Sequence, residues 1–213
     1  MRNEAPMILA EAIIPADNSI LYFKCDRAAF RFFSHFWPSP IELDGETWPT
    51  VEHYYQAQKS NDSAYREAVR TAPAPGVAKR LAAQPSAPRK ISSDSWFKRH
   101  GAMPRPDWHE VKLEVMRRAD MAKFTQHPDL MKLLLDTSDA ELVEDSPTEP
   151  FWGIGPDGQG ANWAGKILME IRDKLRANQT AASSQQPNWN LPAQVGYSED
   201  IACSPPIPPQ LSG

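Results

Sequence analysis

Cysteine is nearly absent: the 213 residues hold two, Cys25 and Cys203, far apart in the chain. That excludes a disulfide framework and a CxxC metal knuckle, and it fits a reducing, cytoplasmic setting. Positive charge is not in excess either. With 23 Lys and Arg against 27 Asp and Glu the formal net charge is -4, unlike the balance by which a general nucleic-acid binder displaces counterions. A local basic pocket stays open; a basic whole does not. No run reaches the roughly 18 apolar residues of a membrane span. The N-terminal "PMILAEAII" is interrupted by Glu11, follows a single arginine and leads into no small-residue cleavage pattern, so a leader peptide is not expected. The five histidines are scattered, and GxSxG and HExxH are absent. Neither a metal nor a cofactor is therefore expected.

What is present suffices for one core. A chain of this length with 41% hydrophobic residues reads as one domain with tails. "SILYF" at 19–23 is a short β-type run, and "IELDGETW" at 41–48 sets Asp-Gly between apolar residues, a hairpin signal. Together they predict a small sheet near the N-terminus. Thr50 is a good N-cap, and the absence of Gly and Pro to about Val69 predicts one helix from there. "GVAKRLAA" predicts a shorter helix between proline-rich segments. "PDWHEVKLEVMRRADMAKF" at 106–124 begins with Pro and sets Val111, Val115, Ala119 and Ala122 on one stripe. "PDLMKLLLDT" predicts another helix, and so does "GANWAGKILMEIRDKL", with Ile167, Leu168, Ile171 and Leu175 at helical spacing. The expected division is an extension over 1–18, one domain over 19–177 and a disordered tail over 178–213, where Gln, Ser, Asn and Pro leave too little apolar surface to offset ordering entropy.

Two stretches carry chemistry-bearing residues. In "ETWPTVEHYYQAQK" at 46–59, a wheel with Glu52 at zero puts Gln56 about 40° to one side and Lys59 about 20° and Tyr55 about 60° to the other. These four share a face. A carboxylate in the first helical turn is favoured by the helix dipole at any surface. The same carboxylate, kept ionised there beside a lysine, also suits a cationic transition state or a water nucleophile. In "PTEPFWGIGPDGQGANWAGK" at 147–166, Gly153, Gly155 and Gly158 formally spell GxGxxG. The preceding "ELVEDSPTEPFW" is broken by Pro147 and Pro150 rather than reading as a buried strand, and no βαβ unit surrounds it, so a dinucleotide site is rejected. A glycine loop running into a helix start still offers backbone N–H groups to a phosphate, or is a plain turn.

Three blocks then agree in order and spacing: "FFSHFWPSPIELDGETWPTVEHYYQAQK", "RPDWHEVKLEVMRRADMAKF" and "LVEDSPTEPFWGIGPDGQGANWAGKILMEIR". The chain resembles the NADAR (YbiA-like) family over about residues 19–177, with its F-S-N-F-x-P, T-x-E-H-Y-x-Q-A-x-K, R-x-D-W, L-V-E, W-G-x-G and N-x-x-G motifs. The resemblance implies a mainly α (α+β), compact multi-helical domain with a small N-terminal β-sheet or hairpin. It also implies an N-glycosidase that cleaves a C1'–N bond in a phosphorylated riboside. Early riboflavin-biosynthesis intermediates are the expected substrates; ADP-ribosylated guanine in nucleic acid, or mere binding of ADP-ribose or a nucleotide, are the alternatives.

Carried over to this chain, the resemblance implies a catalytic Glu52, with Lys59 as its ion-pair partner or as an amine nucleophile, the pair needing less tuning. Glu149 would be the acid that protonates the leaving base. Asn162 would hold ribose hydroxyls or phosphate, with the loop at Gly153 and Gly155. Tyr55 and Trp152 would line the base or ribose, and Gln56, Trp108, Ser34 and His35 would complete the binding set. Two departures stand out: His35 replaces the asparagine of F-S-N-F, and Glu149 stands where relatives carry aspartate.

Overall fold

The computed structural model describes residues 20–26, 30–83 and 93–184. Strand β1 is Ile20–Phe23, β2 Ile41–Leu43, β3 Glu46–Trp48 and β4 Glu141–Glu144. The helices are α1 Val51–Ala57, α2 Ser63–Arg70, α3 Pro75–Leu81, α4 Trp96–His100, α5 Trp108–Gln126, α6 Pro128–Asp136 and α7 Trp163–Ser184. The architecture is thus mainly helical with short strands. Among the described residues no helix is long and apolar enough to cross a membrane.

The hairpin forms as its Asp-Gly pair predicts. Asp44 and Gly45 both take positive φ, 55° and 80°, the geometry whose twist matches the flanking strands. β1, however, does not join it. It pairs in parallel with β4, Ile20 opposite Glu141 through Phe23 opposite Glu144, so the expected N-terminal sheet is two separate two-stranded ribbons. This also corrects the reading of 141–144: Pro147 and Pro150 lie beyond the strand and break nothing, and Leu142 and Val143 are buried in it. Glycine brings α7 onto this ribbon, since a Cβ at Gly165 would collide with the Leu142 carbonyl.

The helix expected from Thr50 to about Val69 is two. Thr50 caps α1 by accepting from the His53 N–H. Ser60 and Asp62 then divert the backbone: Ser60 Oγ accepts from Asp62 N–H, and Asp62 Oδ1 accepts from Tyr65 N–H at 2.9 Å to start α2. Both capping side chains compete for the amides that a continuous helix would need. α4, which periodicity did not suggest, is one short turn set off by Ser95.

α5 lies against α1, α6, α7 and β2. Its Val115, Ala119 and Ala122 are buried, with Val111 partly so, and α7 buries Ile167, Leu168, Ile171 and Leu175 as its spacing predicts. α7 runs on to Ser184, seven residues past the expected end of the domain. The proposed extension over 1–18 and the tail from 185 lie outside the described residues.

Candidate active site

Helix α1 has no solvent face. All seven residues are buried, so the polar side that a wheel offers to water is packed inside. Glu52 is 5% exposed and Gln56 3%. Such groups are kept only where partners or a function offset their desolvation. Glu52 N–H donates to the His35 carbonyl at 3.1 Å, tying α1 to the turn after Phe33. Gln56 Nε2 donates to Glu52 Oε1 at 2.7 Å, and Gln56 Oε1 is buried with no hydrogen-bond partner.

Lys59 lies beyond the end of α1, in the turn after Gln58, so its position does not follow the wheel. Its carbonyl accepts from Arg105 N–H at 2.8 Å, which anchors this turn to the segment leading into α5. Its Nζ donates to the Ala82 carbonyl at 3.3 Å rather than to Glu52. The ammonium sits 5.8 Å from the ring centres of both Tyr55 and Trp108. Burial pushes it down to about 8; Glu52 and Glu149 oppose that shift through space, while Lys79 and Lys112 add to it.

Three further carboxyl groups complete the cluster. Glu149 Oε1 accepts from Lys79 Nζ at 2.7 Å. Burial alone would lower Lys79, but Glu52, Glu149 and Glu144 together raise it. Glu144 ends β4, and its Oε2 is buried without a partner. Burial pushes its carboxyl above the usual range, Glu52 and Glu149 push the same way, and His35 and Lys79 pull back. The His35 imidazole faces Asp120 Oδ2 at 3.1 Å. Burial disfavours its charge, yet Asp120, Glu144 and Glu52 raise it overall. Aromatic rings wall this cluster: Tyr55 lies 4.9 Å from Trp108 and 5.3 Å from Trp152, the latter edge-on, and His35 6.1 Å from Trp152. Lys112 caps the Phe151 ring at 3.6 Å.

The structure therefore brings together Glu52, Tyr55, Gln56, Lys59, Trp108, Trp152, His35 and Glu149. It gives the other expected site residues a different task. The glycine loop is not an open cradle: Gly153 N–H donates to Glu149 O, Ile154 to Glu144 O, Gly155 to Ser146 O, Gly160 to Ile154 O, and Ala161 to Pro150 O. The start of α7 is closed the same way, Trp163 N–H on Phe151 O and Ala164 N–H on Trp152 O. An amide already donating inside the fold has no hydrogen to offer a phosphate. Gly153 is required by packing, since a Cβ there would stand 2.5 Å from the Glu144 carbonyl. Asn162 likewise faces the strand: Nδ2 donates to Leu142 O at 2.9 Å, and Oδ1 accepts from Glu144 N–H at 3.0 Å. Ser34 Oγ accepts from Phe36 N–H at 3.2 Å, closing its own turn. Glu149, expected as a proton donor, is engaged as the carboxylate partner of Lys79.

Sequence reasoning missed Glu144, Lys79, Lys112 and Asp120. Glu144 stood inside the L-V-E motif, and Lys112 one turn after Trp108 on α5. Lys79 and Asp120 carried no signal beyond being charged residues on amphipathic helices. A groove of about 420 Å³ between the hairpin, α5 and α7, lined by Leu43, Arg117, Arg118, Met121, Glu170 and Ile171 among others, shares no residue with this cluster. Two of its arginines are already paired, Arg117 with Glu170 at 2.7 Å and Arg118 with Asp44 at 2.6 Å.

Residues 21–176 match the family described as the NADAR domain. A protein named N-glycosidase YbiA from Escherichia coli (strain K12) is 41% identical over 158 residues, covering 74% of this chain and 89% of that one. A Zea mays protein named riboflavin biosynthesis protein PYRR, chloroplastic, is 36% identical over 181 residues, 81% of this chain and 27% of that protein. The NMR structure of E. coli YbiA superposes with a TM-score of 0.66 at 39% identity, covering 81% of this chain and 95% of that one. The chain belongs to the NADAR domain family and is an enzyme of its N-glycosidase class, a hydrolase of N-glycosyl bonds.

Proposed function

We propose that the protein hydrolyses the C1'–N bond of a phosphorylated riboside, an early ribosylaminopyrimidine phosphate of riboflavin biosynthesis being the preferred substrate. The observation that carries this reading is a desolvated amine, Lys59, beside a buried carboxylate, Glu52, within an aromatic-walled cluster. Trp152 and Tyr55 suit a flat base. Lys79 and Lys112 suit the phosphate, since the amides of Gly153, Ile154, Gly155, Gly160 and Ala161 are already engaged within the fold. The names of the maize PYRR relative and of a Vibrio vulnificus riboflavin biosynthesis protein support this substrate class.

Lys59 serves as the nucleophile. Its hydrogen bond to Ala82 O leaves it unpaired with Glu52, and an amine lowered to about 8 is neutral in a useful fraction near neutral pH. The amine attacks C1', and the C1'–N bond breaks with its electron pair passing to the base, which gains a proton. The ribosyl-ammonium proton moves to the ring oxygen as the ring opens to an imine. Glu52 directs water to that carbon, and hydrolysis releases ribose phosphate and the free amine.

The test assays the enzyme on a ribosylaminopyrimidine phosphate and on ADP-ribosylated guanine in DNA, with and without borohydride. Release of the pyrimidine, with a reduced sugar adduct found on Lys59 by mass spectrometry, is the expected result. Turnover of the DNA alone replaces the substrate, and turnover of neither makes the protein a binding module. An active enzyme that borohydride never traps returns Lys59 to the role of ion partner.

A further inference from the structure

We propose that Glu144 is the general acid of the reaction, the group that hands a proton to the departing base as the C1'–N bond breaks. The proposal rests on the N-glycosidase reading and adds to it the one component that reading lacks, a donor for a leaving group that cannot depart as an anion.

The backbone at Glu144 is fixed from every side. Its N–H donates to Asn162 Oδ1 at 3.0 Å, and its carbonyl accepts from Ser146 N–H at 2.9 Å and Ile154 N–H at 3.1 Å. Gly153 packs on that same carbonyl because it has no side chain, and the residue is in register with Phe23 of β1. Asn162, Gly153 and the closed loop amides thus all converge on one residue. A side chain leaving so constrained a backbone is placed with the tolerance that proton transfer demands.

The carboxyl at the end of this scaffold is also the unmatched one. Glu52 receives Gln56 Nε2, and Glu149 receives Lys79 Nζ, each at 2.7 Å. Among the described residues, Glu144 Oε2 is buried and receives no hydrogen bond. Among carboxyl groups within electrostatic reach of one another, the one whose oxygen receives no donor is the one whose charged form is least supported. Burial and the charges of Glu52 and Glu149 raise Glu144, and the two carboxyls differ in their donors, Glu52 receiving Gln56 and Glu144 Oε2 receiving none among the described residues, a difference of environment that suits an acid. In the reaction Glu144 gives its proton to the base nitrogen, which takes the bond's electron pair. The proton is restored when water adds to the imine carbon, the hydroxyl going to carbon and the hydrogen returning to the carboxylate.

The test measures kcat/KM for the intact enzyme, Glu144→Gln and Glu144→Asp on ribosyl phosphates whose departing nitrogen varies in basicity. The intact enzyme should depend little on basicity. Glu144→Gln should lose about a hundredfold on the most basic leaving group and only about threefold on the least basic. Glu144→Asp, which still has a proton to give, should restore the shallow dependence at a lower rate. Equal losses along the series, or a steep dependence in Glu144→Asp as well, would overturn the acid and leave Glu144 a scaffold residue. An intact enzyme that cleaves none of the series overturns the N-glycosidase reading instead.

Discussion

The α1 face and the glycine loop invite the same expectation from sequence and meet opposite fates. Both place polar or backbone groups where a ligand could use them. On α1 and in the turn after it, polar groups keep unspent capacity: among the described residues Gln56 Oε1 is buried with no partner, and half-buried Lys59 Nζ donates to one carbonyl at 3.3 Å. In the loop from Glu149 to Asn162 the amides of Gly153, Ile154, Gly155, Gly160, Ala161 and Asn162 all donate within the fold. The first region suits the proposed site because its hydrogen bonding is incomplete. The other acts as a frame because these amides are engaged within the fold, and Gly153 and Gly160 report how closely chain packs on chain.

Glu52→Gln breaks the first half of that contrast most sharply. The amide keeps the shape and can still meet Gln56, yet it carries no charge for water activation or cation stabilisation. Removing one such group costs on the order of 3 kcal/mol, about a hundredfold or more in kcat. Steady-state kinetics beside a melting curve should show that loss with Tm little changed; an active Glu52→Gln would remove α1 from the chemistry. Gly153→Ala probes the other half. Its new methyl meets the Glu144 carbonyl at 2.5 Å and Ser146 Cβ at 3.0 Å, neighbours that cannot swing aside, so a stability loss of about 2–3 kcal/mol is expected from denaturant melts. A fully stable Gly153→Ala would mean the frame is looser than the geometry requires.

How much of this was legible follows from the same distinction. The hairpin was readable because Asp44-Gly45 demands positive φ, a local requirement. α5 and α7 were readable because burial on one side imposes a period. The split between α1 and α2 was written in Ser60 and Asp62, but an absence of Gly and Pro hid it, since side-chain capping rather than a breaker ends the helix. The β1–β4 pairing joins residues some 120 positions apart, and nothing local announces it. Glu52 and Lys59 could be proposed from motif resemblance; the burial of α1 could not, because its polar face reads on a wheel as one turned to water. Glu144 stands within the L-V-E motif, but only the fold shows its Oε2 buried without a partner among the described residues.

Lysine chemistry gives a finer test, because two lysines share one shift and differ in surroundings. Burial pushes both Lys59 and Lys123 down to about 8. Lys123 is 0% exposed and donates to Phe32 O and Ser34 O at 2.7 and 3.0 Å, so its hydrogens are taken up by a frame of the loop's kind. Lys59 faces the site. A depressed pKa means the neutral amine gains population as pH rises through about 8, and at pH 7 about a tenth is neutral, against less than a thousandth for an ordinary lysine. Reductive methylation followed by peptide mass spectrometry should modify Lys59 before the surface lysines at pH 7, its rate rising through about 8, with Lys123 protected throughout. Equal rates for Lys59 and the surface lysines would show that it is not desolvated.

The smallest effect discriminates best between frame and cradle. Gly158 has open space around the position of a Cβ but takes φ of 73°, so Gly158→Ala costs only left-handed strain, about 1 kcal/mol or slightly more. It leaves every loop hydrogen bond in place. If the loop were a phosphate cradle, strain at its tip would misalign the amides and raise KM by a large factor. If the loop is a frame, the melting temperature falls by a few degrees while KM for the phosphorylated riboside holds within about twofold. Because Lys79 and Lys112 lie on α3 and α5 rather than in the loop, the phosphate should not register the change. A KM that moved with Gly158→Ala and stayed constant in Lys79→Ala would return the glycine loop to the ligand.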